Sequence, residues 1–195
     1  VLLVGNKDSI IYHKAFGHFT YDEYSTQVTP STIYDIASLT KVIATTTAIM
    51  LLFDRGLISL EDKVGKYLPQ FAVSGKENVT ILNLLKHNSG LPAWKKFYPN
   101  IKNKEEVLND IYKLKLEFKP GTKTLYSDLG FIILGIIIEK VSGISLDSFC
   151  RKEIFEPLQM KHTFFNPDKN LKSNIAPTEI DNYWRNRLLQ GEVHD

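Results

Sequence analysis

Ser38-Leu39-Thr40-Lys41 sets a hydroxyl and an amine three residues apart, just ahead of an apolar run. If a helix starts there, both side chains lie on one face, and the serine oxygen sees the positive end of the helix dipole. Such an oxygen is stabilised as it becomes nucleophilic, and a lysine near a polar cluster can lose its proton and act as base. Alone, the pattern arises by chance in a chain rich in serine and lysine, and Ser38 could equally be a helix cap. Tyr126-Ser127-Asp128 also stands just before an apolar run. A phenol beside that pair could take the serine proton or protonate a leaving group; the plain alternative is a tyrosine packing after the Pro120-Gly121 breaker. Asp128 could pair with Lys41, keeping the amine protonated and favouring Tyr126 as base, or could cap the following helix; both roles can coexist.

The remaining chemistry-bearing residues offer less. The five histidines, His13, His18, His87, His162 and His194, show no metal-ligand spacing. His87 ends a short helix and reads as structural. Cys150 is the single cysteine, so neither a disulfide within the chain nor a thiolate zinc or iron–sulfur site can be built. Glu105-Glu106 reads as a solvated face. Trp94, with Phe97 and Tyr98, follows Pro92 and could line a substrate cleft or anchor a loop. A net charge of +2 without a Lys/Arg block argues against nucleic acid as a partner. The 43% hydrophobic content supports a packed core. The longest apolar runs, residues 42–53 and 131–138, fall well short of the roughly 20 residues of a membrane-crossing helix.

The elements that must carry these groups can be read from turn and cap chemistry. Residues 1–5 and 10–16 are apolar and β-branched around Asn6-Lys7-Asp8-Ser9, which predicts a hairpin. Residues 20–32 form a loop. Helices are expected over 38–55, stopped by Gly56; over 81–87, capped by Thr80; over about 103–116, opened by Asn103 and Glu106; from Asp128 to the Ser142-Gly143 stop; and over 145–155. A short strand is expected at 163–165, and the pattern from Asn166 onward is irregular. The hairpin lacks a sheet to join, and two strands alone are marginal in water.

Ser38-x-x-Lys41, then Leu84-Leu85-x-His87-x-Ser89-Gly90-Leu91, then Tyr126-x-Asp128 follow one another in an order that resembles the serine β-lactamase and penicillin-binding-protein superfamily. The likeness is greatest to the branch of class C β-lactamases, DD-peptidases and related esterases, and it extends to the tail, Gly191-x-Val193-His194-Asp195. Asp128 departs from that branch's Tyr-x-Asn pattern: an ionised carboxylate accepts hydrogen bonds and cannot take the amide-donor role of Asn. The resemblance implies an α+β fold of the β-lactamase/transpeptidase type. Residues 1–37 would be the first strands of an antiparallel sheet, 38–165 a mainly helical region, and 166–195 an irregular segment leading to a further C-terminal part. It implies a serine hydrolase working through an acyl-enzyme on an ester, a β-lactam or a D-alanyl peptide. Ser38, Lys41 and Tyr126 would be catalytic and Asp128 and Trp94 substrate-binding. No metal or organic cofactor would be needed, and the setting would be periplasmic or otherwise extracytoplasmic, with a small-molecule or peptidoglycan-type acyl substrate.

The family's third motif, a Lys-Thr-Gly-like triad on a strand that supplies an oxyanion donor, does not follow Tyr126. The expectation is therefore the N-terminal portion of one catalytic domain, completed by a C-terminal segment or self-associating through uncovered faces of residues 1–4, 10–16 and 131–138. The alternative is a non-catalytic penicillin-recognising or scaffold module.

Overall fold

The computed structural model describes residues 1–98 and 103–194; residues 99–102, and Asp195 at the end of the family-like tail, lie outside the described residues. The chain forms two compact units, Val1–Ala37 with Phe164–Asp195, and Ser38–Thr163. The fold is α+β, with helices in the second unit and two small antiparallel sheets in the first.

In the first unit, β1 (Leu2–Gly5) pairs with β2 (Ile10–Lys14), with Leu3 opposite His13 and a register shift between Val4 and Gly5. Asn6 makes the turn: its Oδ1 accepts the N–H groups of Asp8 and Ser9, each at 2.9 Å. Every residue of both strands is exposed. The segment read as irregular contains a second hairpin, β3 (Glu179–Asp181) with β4 (Arg187–Leu189). Its strands are too short to show a two-residue period. Its turn is organised by Asp181, whose carboxylate accepts backbone N–H groups of Trp184, Tyr183 and Arg185 and the Arg185 guanidinium. These bonds hold its carboxyl well below the usual carboxylate range. Residues 163–165 are not a strand, because no described strand pairs with them.

In the second unit, the segment after Ser38 winds as a wide, π-type helix over Lys41–Thr46 and continues as α1 (Thr47–Asp54). Thr47 Oγ1 donates to the carbonyl of Val42 at 3.1 Å, five residues back, which fits the wider turn. Such stretches recur beside functional groups. α2 (Ile81–Leu85) has the expected Thr80 cap, with Asn83 returning the bond. α3 (Lys104–Lys113) opens at Asn103, whose side chain accepts the Glu106 N–H, but stops before the expected residue 116 because Leu114 turns extended. There the fully buried Lys76 donates to the carbonyls of Tyr112 and Leu114 at 3.1 and 2.6 Å, capping the helix end.

The central element is α4 (Asp128–Ser142), closed by Gly143 in the left-handed conformation at φ 74°. The uncovered 131–138 face expected from sequence is not found: Ile133, Leu134, Ile137 and Ile138 are fully buried and Phe131 is buried. Each such aliphatic burial stabilises by about 1.5–3 kcal/mol, which makes α4 the organising core helix. α5 (Leu146–Cys150) runs into a second wide turn, Arg151–Phe155. Glu139 of α4 ties its neighbours together, pairing with Lys104 of α3 and accepting the Leu146 N–H at 3.1 Å. Among the described residues no single helix is long and apolar enough to cross a membrane.

Candidate active site

Ser38 is approached through backbone strain. Asp35 Oδ1 accepts the Ala37 N–H at 2.7 Å, and Ala37 stands at φ 44°, where a side chain is disfavoured. The Ser38 carbonyl accepts the Lys41 N–H at 3.0 Å, closing one turn. That turn brings Lys41 Nζ to donate to Ser38 Oγ, also at 3.0 Å. The same ammonium lies 2.6 Å from Asp128 Oδ1 and 5.1 Å from the Tyr126 ring centre. Lys41 thus links Ser38 with Tyr126 and Asp128.

Burial lowers the Lys41 pKa, but hydrogen bonds to Asp128 and Tyr126, with their charges, outweigh it, and the net shift is upward. Lys41 is therefore an ammonium at neutral pH. It can donate to an oxygen that gains negative charge but cannot itself take the serine proton in that state. Tyr126, the other base open to the sequence reading, is about half exposed at 48%.

Asp128 is not the cap of α4. Ser127 is: its backbone is extended, and its Oγ accepts the Gly130 N–H at 3.3 Å. Asp128 is the first helical residue, where a carboxylate suits the helix dipole and is free to face Lys41. The carbonyl of Ala93, next to Trp94 in sequence, accepts the Asp128 N–H at 2.9 Å. Trp94 itself is 47% exposed.

The Leu84-to-Leu91 string has a physical function in this arrangement, because it and the two residues after Leu91 hold the chain that carries Tyr126. The carbonyls of His87, Asn88 and Gly90 accept the N–H groups of Leu125, Gly121 and Glu117, each at 2.8 Å. Pro92 accepts from Ser127 Oγ at 2.6 Å. Gly90 sits at φ 86°, and a Cβ there would stand 2.2 Å from the Phe118 carbonyl oxygen. Gly90→Ala should therefore cost more than about 2 kcal/mol, from the left-handed backbone and the clash together. Equilibrium denaturation reads this, and an unchanged midpoint would show that the close approach is not fixed.

Two further residues lie against this group. His87, read as structural, lies 4.4 Å from the Tyr126 ring and 4.9 Å from the Phe131 ring, centre to centre, and its Nδ1 accepts the Ser127 N–H at 3.0 Å. Phe131 is also 6.0 Å below the Lys41 ammonium. The i, i+3 spacing of Asp128 and Phe131 was a usable signal, since it puts both on one helix face.

The chain belongs to the β-lactamase family: the family model described as Beta-lactamase matches residues 1–193. Among its relatives is an Escherichia coli (strain K12) protein provisionally named a D-alanyl-D-alanine carboxypeptidase, 35% identical across 100% of this chain and 52% of the relative. The solved structure of FmtA from Staphylococcus aureus is similar with a TM-score of 0.77 and 28% identity, over 86% of this chain and 47% of that one. A class C β-lactamase structure is similar with a TM-score of 0.73 and 26% identity, over 87% of this chain and 45% of that one. The chain spans about half the length of the curated relatives it matches.

Proposed function

We propose that this chain carries the nucleophile half of a serine acyl-transfer site, and that the protein is a hydrolase of esters, β-lactams or D-alanyl peptides. The observation that carries this reading is the Lys41 ammonium held at once by Ser38 Oγ at 3.0 Å and Asp128 at 2.6 Å. Ser38 Oγ attacks the acyl carbonyl while its proton passes to the Tyr126 oxygen, which enters the step as a phenolate beside the Lys41 ammonium and leaves it as a phenol. Lys41 donates to the oxygen and steadies the developing charge. Tyr126 returns the proton to the leaving group, and water then releases the acyl group from Ser38 by the reverse path. Asp128, as a carboxylate, accepts only, so its part is to hold Lys41 charged, while the half-exposed Trp94 ring offers an apolar wall to the acyl group. The relatives named as a D-alanyl-D-alanine carboxypeptidase and a class C β-lactamase support a peptidoglycan-type substrate in an extracytoplasmic setting. The test is turnover by the intact protein of a p-nitrophenyl ester, a chromogenic cephalosporin and a D-alanyl-D-alanine peptide. Ser38-dependent hydrolysis of at least one is expected, and hydrolysis of none would overturn the reading.

In the same proposal residues 1–195 are the N-terminal portion of the catalytic domain, and further strands cover β1 and β2. Support comes from Leu3, Ile10 and Ile11, exposed at 54%, 64% and 65%, in a bare hairpin that water would leave marginal. Expressed alone, the 195-residue chain should self-associate through these faces. It should also hydrolyse esters roughly 10²–10³-fold more slowly than the intact protein, the usual loss for one oxyanion donor. Sedimentation velocity and ester turnover on the two proteins check this, and a monomeric, fully active chain would contradict it.

A further inference from the structure

His87 grips the chain on both sides of Tyr126. Its Nδ1 accepts the N–H of Ser127 at 3.0 Å, and its carbonyl accepts the N–H of Leu125 at 2.8 Å. Its ring lies against the Tyr126 ring at 4.4 Å and 33°. The residue stands at φ 53°, a conformation a histidine keeps only where its surroundings over-determine it. Nδ1 can accept only when it carries no proton, so the ring in this arrangement is the neutral tautomer with hydrogen on Nε2.

We propose that His87 is the positioning residue for Tyr126, and that protonation of its Nδ1 switches the site off. The proposal rests on the serine-hydrolase reading above. A proton on Nδ1 would face the Ser127 N–H, donor against donor, and the amide would lose its acceptor. The segment bearing Tyr126 would then shift away from Lys41. The charged and titratable groups facing the ring are Lys41, from the wide helix, Asp128, from α4, and Tyr126 itself. Burial, and then the Lys41 charge, push the imidazole below its ordinary range, while the Asp128 carboxylate opposes them; the Ser127 N–H, donating to Nδ1, also favours the neutral ring. The ring is therefore neutral at pH 7, and the switch lies on the acid side of the ordinary imidazole pKa of about 6.5.

The test measures kcat and KM for p-nitrophenyl ester hydrolysis by the intact protein from about pH 4.5 to 8, in wild type, His87→Asn, His87→Phe and Ser38→Ala. Asparagine tolerates the left-handed backbone, offers an amide oxygen near the Nδ1 position and does not titrate. His87→Asn should keep kcat at pH 7.5 within about tenfold and lose the acid limb in the imidazole range. Phenylalanine keeps a ring for stacking but offers no acceptor. His87→Phe should lower kcat about 10–100-fold at every pH, with KM little changed. An unaltered acid limb in His87→Asn, or a wild-type kcat in His87→Phe, would overturn the proposal. If His87→Phe does not fold, the His87→Asn profile decides alone. Nitrogen NMR of histidine-labelled protein gives a readout independent of turnover: His87 protonated on Nε2 alone at pH 7 is expected, and the opposite tautomer overturns the proposal. Wild-type hydrolysis by Ser38→Ala would instead sink the serine-hydrolase reading, leaving the NMR result to judge the His87 bond by itself.

Discussion

Ser38→Ala is expected to lower ester and β-lactam turnover by the intact protein by roughly 10⁴-fold or more, since it removes the oxygen that forms the proposed acyl-enzyme. The fold should be nearly untouched. Ser38 is exposed and does not cap the helix that follows. Its Oγ accepts the Lys41 ammonium in a site open to solvent, so the stability loss should stay below about 1.5 kcal/mol. Progress curves beside a thermal melt separate the two effects. A variant that melts normally and still turns over at the wild-type rate would remove Ser38 from the mechanism.

The next largest effects should fall on the proton path. Lys41→Ala and Tyr126→Phe should each slow acylation by about 10²–10⁴-fold, the range for a positioned acid or base. The two losses should not add, because both residues act on the same Ser38 oxygen. Asp128→Asn separates their roles. Asp128 is the largest influence raising the Lys41 pKa, and burial opposes it. Without the carboxylate the upward push on Lys41 weakens, and Lys41 gives up its proton at lower pH. A raised pKa in the native enzyme means the ammonium persists into the alkaline range, so the alkaline limb of kcat should move to lower pH in Asp128→Asn. Stopped-flow acylation across the alkaline range reads this. A limb that stays in place, or moves upward, would show that the 2.6 Å pair does not set the charge of Lys41.

Local chemistry made several elements legible. The Thr80 and Asn103 caps, the Gly143 stop and the Asn6 turn each depend on one or two neighbouring side chains. The Ser38–Lys41 contact was legible for the same reason, since it spans one turn. What escaped depended on contacts distant in sequence. That Ser127 rather than Asp128 caps α4 follows from Pro92 and Ala93, which hold the Ser127 hydroxyl and the Asp128 amide from some 35 residues away. His87 read as structural because its partner Ser127 is 40 residues downstream. The Phe131–Ile138 face was expected to be uncovered, but neighbouring helices bury it, and no single-helix pattern reports which neighbours those are. The β3–β4 hairpin rests on three-residue strands around one aspartate, below the length at which alternation can be read.

Mass spectrometry of the intact protein after reaction with a fluorescent penicillin or a fluorophosphonate, followed by peptide mapping, bears on the nucleophile directly. One equivalent of label on the peptide containing Ser38, absent from Ser38→Ala, is the expected result. Label on another residue, undiminished label in Ser38→Ala, or no label from either reagent on a folded wild-type protein would contradict it.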